Sequence, residues 1–185
     1  MDIDSGTEAK LSQIYPDLKV RVIRVYNDFY NRHQKKLFTI EGVRDLERQA
    51  KLWAQGRTSP GKIVTRARPG DSIHNYGLAF DSGFMGADPY LEALKEKDIK
   101  SYQYFWGEFG RFAKAHGLKW GGDWNGNGIQ DKEDWDLAHA EITYGLTLAQ
   151  IKKLHAVGGL KAVWVKCDQI RGVEVGSEWK HLIKL

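Results

Sequence analysis

Ser72-Ile73-His74-Asn75-Tyr76-Gly77-Leu78-Ala79-Phe80-Asp81 is the stretch on which the reading of the fold turns. Its second half, Gly77 to Asp81, alternates large apolar residues with small or acidic ones, the period-two pattern of a strand with one buried face. Leu78 and Phe80 are expected to face a core, and Ala79 and Asp81 a cleft. His74 stands seven residues before Asp81, and Gly77 between them supplies the turn that folds the histidine back over the strand. The two side chains make half of a metal site.

A second alternating stretch, His139-Ala140-Glu141-Ile142-Thr143, puts His139 and Glu141 on one strand face and Ala140 and Ile142 on the other. Zinc hydrolases draw three ligands from histidines and carboxylates and leave the fourth position to water. Of the six histidines, His74 and His139 stand beside strand-like segments that carry acids, whereas His33, His116, His155 and His181 fall in helical or tail segments. Asp136, three residues before His139, suits a general base that takes a proton from the attacking water and passes it to the leaving amine. Spacing alone favours a second reading, with His74 in a surface turn and Asp81 as a strand-end cap.

Working outward, Leu11, Ile14, Leu18, Val22, Val25 and Phe29 recur at helical spacing, and Pro16 can start a new helix, so one or two helices are expected from Thr7 to Arg32. Leu37 to Ile40 is β-prone, and Asp45 to Gln55 has helical composition ending at Gly56. Asp88 to Lys97 and Tyr102 to His116 read as amphipathic helices, the second closed by Gly117. Leu146 to Ala156 is a further helix, and Gly158-Gly159 separates it from a tail of unclear form. Helices mixed with short neighbouring strands predict an α+β fold: a small antiparallel sheet carrying the site, flanked by helices. At 185 residues the chain suits one main domain, 1–145, with a helical extension, 146–185, packed on it. Lysines beside Trp164 and Trp179 also give that extension a reading as a wall-binding element, against one in which the tryptophans turn inward.

Composition narrows the function classes. A net charge of +4 is spread along the chain, and the densest basic run, Lys62 to Arg68, lacks interleaved aromatics, so nucleic acid is not an expected partner. No apolar run is long enough to span a bilayer, and membrane insertion is not expected. The first residues carry no basic segment followed by an apolar run, which predicts a cytosolic product without a signal peptide. The single cysteine, Cys167, leaves histidines and carboxylates as the metal ligands.

The stretch Ser72 to Asp81 resembles the S-x-H-x-x-G-x-A-x-D signature of the D-alanyl-D-alanine carboxypeptidase and L-alanyl-D-glutamate endopeptidase family, which includes many phage endolysins, and every fixed position is matched. Glu41-Gly42-Val43-Arg44 with Gln49, Gln55-Gly56-Arg57-Thr58, Trp120-Gly121-Gly122-Asp123-Trp124 and Asp136-Leu137-Ala138-His139-Ala140-Glu141 resemble further motifs of the endopeptidase branch, in order. The resemblance implies a fold of the hedgehog and D-Ala-D-Ala peptidase kind, zinc on His74, Asp81 and His139, and Asp136 as catalytic base. It also implies Arg44 as donor to the oxyanion and Ser72 as a hydrogen-bonding group for the substrate. Tyr76 and Trp124 are expected to line the cleft, against a reading as core aromatics. Glu141, expected near the substrate, shares a face with His139, where it either orients that ring as an acceptor or makes a structural salt bridge. The implied activity is zinc-dependent cleavage of the L-alanyl-D-glutamate bond of peptidoglycan by a monomeric, phage-type endolysin. Such a protein stays in the host bacterial cytoplasm until the membrane is permeabilised. A D-alanyl-D-alanine carboxypeptidase and a non-hydrolytic, metal-containing wall-binding module are the alternatives. Where the family usually has Pro before the last histidine and Phe after it, this chain has Ala138 and Ala140, which bears on the pocket wall more than on the metal.

The loop from Asp123 to Asp134 also fits the calcium-loop template. Asp123, Asn125, Asn127, Asp131 and Asp134 supply side-chain oxygens, Ile129 a backbone carbonyl, and Gly128 the sharp turn. A solvated Asn-Gly turn is the competing reading. Calcium is thus an expected second cofactor, placed to order the segment leading to Asp136 and His139.

Overall fold

The structure is a computed structural model that describes residues 2–128, 136–177 and 179. Helix α1 (Ser5–Leu11) starts at Asp4, whose carboxylate accepts from the Thr7 amide, and α2 (Pro16–His33) starts at the proline. Strand β1 (Leu37–Glu41) follows, then α3 (Leu46–Ala54), capped by Asp45. A 3-10 turn (Ile73–Tyr76) precedes β2 (Ala79–Phe84), and Gly77, at φ 68°, makes the corner between them. Next come α4 (Glu92–Lys97), α5 (Ile99–Ala115), β3 (Lys119–Trp120), β4 (His139–Glu141) and α6 (Leu148–Arg171).

The four strands form one antiparallel sheet in the order β1-β2-β4-β3, giving the α+β architecture expected from sequence. Its register builds the site: Asp81 of β2 lies opposite His139 of β4 on one side and Glu41 of β1 on the other. One sheet face is closed by α2 and α5. Phe80 meets the rings of Tyr26 and Phe109 edge-on, each at 6.3 Å, and Val22, Val25 and Phe29 extend the same buried stripe. Each large apolar side chain so buried contributes about 1.5–3 kcal/mol. Gly110 of α5 is required by this packing, since a Cβ there would sit 2.2 Å from the Trp120 ring.

Three elements differ from the sequence expectation. Ala79, paired with Glu141 of β4, is fully buried instead of facing the cleft. The helix expected from Asp88 begins only at Glu92; Asp88 accepts from the Glu92 and Ala93 amides and so acts as a cap for it. The Gly158-Gly159 pair leaves helical geometry, with Gly159 at φ 60° and ψ −155°, and so interrupts α6 where the sequence expected a separation, but the tail beyond it is helical again as far as Arg171. The tail takes that form because Val163, Trp164 and Cys167 return at helical spacing and join the common core, where Trp179 also lies, 2% exposed. Both tail tryptophans therefore point inward, as core residues do.

Candidate metal centre and cleft

His74, Asp81 and His139 converge through three different elements. The 3-10 turn brings His74 over β2, and the β2–β4 register sets His139 against Asp81. His74 Nε2, His139 Nδ1 and Asp81 Oδ1 form a triangle with every edge 3.1 Å. Donor atoms around a tetrahedral zinc, with bonds of about 2.0 Å, stand roughly 3.3 Å apart, so the triangle fits one ion.

The outer partners fix which ring nitrogens face inward. His74 Nδ1 lies 2.7 Å from the Gly42 carbonyl, which can only accept, so that nitrogen carries the proton and Nε2 presents a lone pair. His139 Nε2 lies 3.0 Å from Glu141 Oε2, which leaves its Nδ1 lone pair directed at Asp81. Three lone pairs then meet with no proton among them, an arrangement that a cation resolves. Without one, burial disfavours a charged His139, but the hydrogen bonds to Asp81 and Glu141 outweigh it and push the imidazole up to about 10. Burial likewise opposes ionisation of Asp81, yet the two histidines hold it well below the usual carboxylate range.

Arg44 stands behind the ligands, 8% exposed. Its guanidinium donates to Asp81 Oδ2 at 3.0 Å, to Glu41 at 2.5 Å and to Gln49 at 3.0 Å, while Nε has no hydrogen-bond partner. The arginine therefore orients the metal-facing carboxylate as well as bordering the cleft. Asn75 supports it in turn, donating to the Arg44 carbonyl at 2.7 Å.

The centre opens into a cleft of about 760 Å³. Asp136 lines it with Arg44, Ser72, Trp124 and Glu141, and the loop from Lys62 to Ala67 forms the facing wall. Burial raises the Asp136 carboxyl, with the Asp81 charge adding to it and the histidines and Arg44 opposing. Its backbone carbonyl accepts from the His139 amide at 3.0 Å, so Asp136 and His139 share one turn. Ala138 borders the cleft, whereas Ala140 is fully buried behind it.

Tyr76 does not join this group. It is 3% exposed, its hydroxyl donates to the Gly70 carbonyl at 2.7 Å, and its ring packs against His155, so the expected substrate contact gives way to a structural one. Gly42, Glu41 and Gln49 are the parts of the centre that sequence reasoning gave no role. In the expected calcium loop, the Asp123 carboxylate accepts from Lys114 at 2.8 Å and from the Gly128 amide. Asn125 accepts from the Asn127 amide. Ile129, Asp131 and Asp134 lie outside the described residues.

A His-Asp-His triangle on a turn and two strands, with the partly buried Asp136 beside it, is the kind of site a metal-dependent hydrolase uses. Residues 65–142 match the family described as D-alanyl-D-alanine carboxypeptidase. Among known proteins, the chain is 44% identical over 85 residues to the peptidoglycan L-alanyl-D-glutamate endopeptidase CwlK of Bacillus subtilis (strain 168). That alignment covers 45% of this chain and 51% of the relative, so the chain spans about half the length of the relative it matches. A solved structure, the L-Ala D-Glu endopeptidase ChiX of Serratia marcescens, is similar at 24% identity and a TM-score of 0.46, over 76% of this chain and 88% of that one. Arg44, Gly42 and α6 all lie outside the family-matched segment.

Proposed function

We propose that the protein is a zinc-dependent peptidoglycan endopeptidase that cleaves the L-alanyl-D-glutamate bond of the stem peptide. The observation that carries this reading is the 3.1 Å triangle of His74, Asp81 and His139 beside the partly buried Asp136. The relative named for that bond supports the substrate assignment. Zinc held by the triangle supplies a Lewis acid and makes water acidic enough to attack at neutral pH. Asp136, which burial makes more basic than an ordinary carboxylate, takes the proton of the attacking water and delivers it to the leaving amine. Arg44 lines the cleft and sets its positive charge near the oxygen that gains negative charge, while its guanidinium holds Asp81 in place. Ser72 and Trp124 border the space the peptide would fill.

Release of D-alanine from a stem-peptide terminus is the near alternative, given the description of the matched family. Termini freed from purified peptidoglycan distinguish the two. New alanine carboxyl and glutamate amino termini support the endopeptidase; free D-alanine overturns it in favour of the carboxypeptidase.

A lytic role of the phage type, action as a monomer, and passage to the wall after membrane permeabilisation belong to the same proposal. Among the described residues, no helix is long and apolar enough to cross a membrane. Calcium in the 123–134 loop is a separate proposal, in which the ion competes with Lys114 for Asp123. Calcium titration of the zinc-loaded protein tests it: a raised melting temperature supports the site, and an unchanged one removes it.

A further inference from the structure

We infer that Glu141 is a positioning residue: it presents His139 to the metal through Nδ1, in place of the substrate contact its location in the cleft suggests. The inference rests on the zinc reading of the His74, Asp81 and His139 triangle. Glu141 lies two residues after His139 on the same strand face, and its Oε2 stands 3.0 Å from His139 Nε2. Both side chains are well covered, at 13% and 7% exposed. Strand β4 is interior to the sheet, and Glu141 is paired with Ala79 on one side and Lys119 on the other, so its backbone is pinned from both flanks.

An imidazole can carry its single proton on either nitrogen, and only one choice leaves a lone pair for the metal. An ionised Glu141 has no proton to give. It therefore favours the proton on Nε2, leaves Nδ1 free, and makes that nitrogen a stronger donor. The Gly42 carbonyl does the equivalent for His74, at 2.7 Å. Two ring orientations are thus set by two different acceptors, and the carboxylate is the one that a side-chain substitution can remove. Trp124, its ring tilted 37° over His139 at 5.4 Å, limits the remaining freedom of that imidazole.

The test compares wild type, Glu141→Gln and Glu141→Ala for zinc affinity by chelator competition, for the visible spectrum of the cobalt-substituted form, and for KM and kcat. Expected are zinc binding weakened roughly 10–100-fold in Glu141→Ala with an altered cobalt spectrum, and substantial rescue in Glu141→Gln, whose amide oxygen still accepts from Nε2. Zinc affinity and cobalt spectrum both unchanged in Glu141→Ala, with only KM raised, would overturn the inference and return Glu141 to the substrate. Failure of the wild type itself to bind zinc is a different result, and it sinks the metal reading together with this one. Melting of the metal-free variants identifies any loss of fold, in which case Glu141→Gln decides: wild-type zinc affinity upholds the role, and affinity as weak as that of a His139→Ala control overturns it.

Discussion

Gly121 shows how closely single residues are constrained around the centre. A Cβ at this position would lie 2.3 Å from the Asp136 carbonyl oxygen, and the Gly121 amide donates to the His139 carbonyl at 2.9 Å. Gly121→Ala must therefore push the segment holding both Asp136 and His139. It is expected to destabilise the protein by about 1–3 kcal/mol and to lower hydrolysis more than its melting temperature alone explains, as urea unfolding and peptidoglycan turnover would show. At this scale the alternating stretches pointed to Asp81 and His139, but it was the resemblance to a family signature, more than spacing, that singled out His74, Asp81 and His139, which the fold brings together. The Gly42 carbonyl was not legible, since a backbone acceptor has no side-chain signature. Tyr76 misled because an aromatic next to a signature histidine reads the same whether it lines a cleft or, as here, is held by the Gly70 carbonyl.

Helix α6 is coupled to the site through two contacts that no motif announces. Trp164 Nε1 donates to the Tyr76 carbonyl at 3.0 Å, bracing the turn that carries His74. Trp164→Phe leaves that buried carbonyl without its partner, and a loss of about 1–3 kcal/mol is expected in urea unfolding. Asp17 of α2 joins Arg21, Arg171 of α6 and Tyr144, with the Tyr144 hydroxyl donating at 2.6 Å. Burial opposes its charge, but Tyr144, Arg21 and Arg171 outweigh that and lower its pKa. The stability it contributes is thus present above the ordinary carboxylate pKa of about 4 and is lost as pH falls through the lower folded value. Asp17→Asn is expected to cost about 1–2 kcal/mol at pH 7, with the gap to wild type shrinking by pH 3. Apolar periodicity revealed the helices themselves. What it could not reveal was the helical form of the chain beyond the break at Gly158-Gly159, because the segment after a glycine pair has no set direction until the core it joins is known.

For the whole molecule, the described residues from Leu11 to Trp179 contribute to one hydrophobic core. Removing residues 146–185 would uncover the surfaces that Val163, Trp164 and Cys167 now fill. The shortened chain is expected to lose cooperative unfolding, whereas a detachable wall-binding tail would leave it intact; circular dichroism during heating distinguishes them. Zinc should raise the melting temperature with concentration, as any ligand of the folded state does, by about 2.7 kcal/mol of stability at a hundredfold excess over its Kd. The α+β class was readable from neighbouring short strands and helices. The sheet order was not, since β1-β2-β4-β3 depends on long-range pairing that no local pattern encodes. The most direct measurement is hydrolysis of purified peptidoglycan by wild type and Asp136→Ala, with zinc content and freed termini assayed together. The account predicts new alanine carboxyl and glutamate amino termini with the wild type, and their loss by a factor of about 10²–10⁴ in the variant while zinc stays bound. Zinc bound in both with no new termini from the wild type would contradict it.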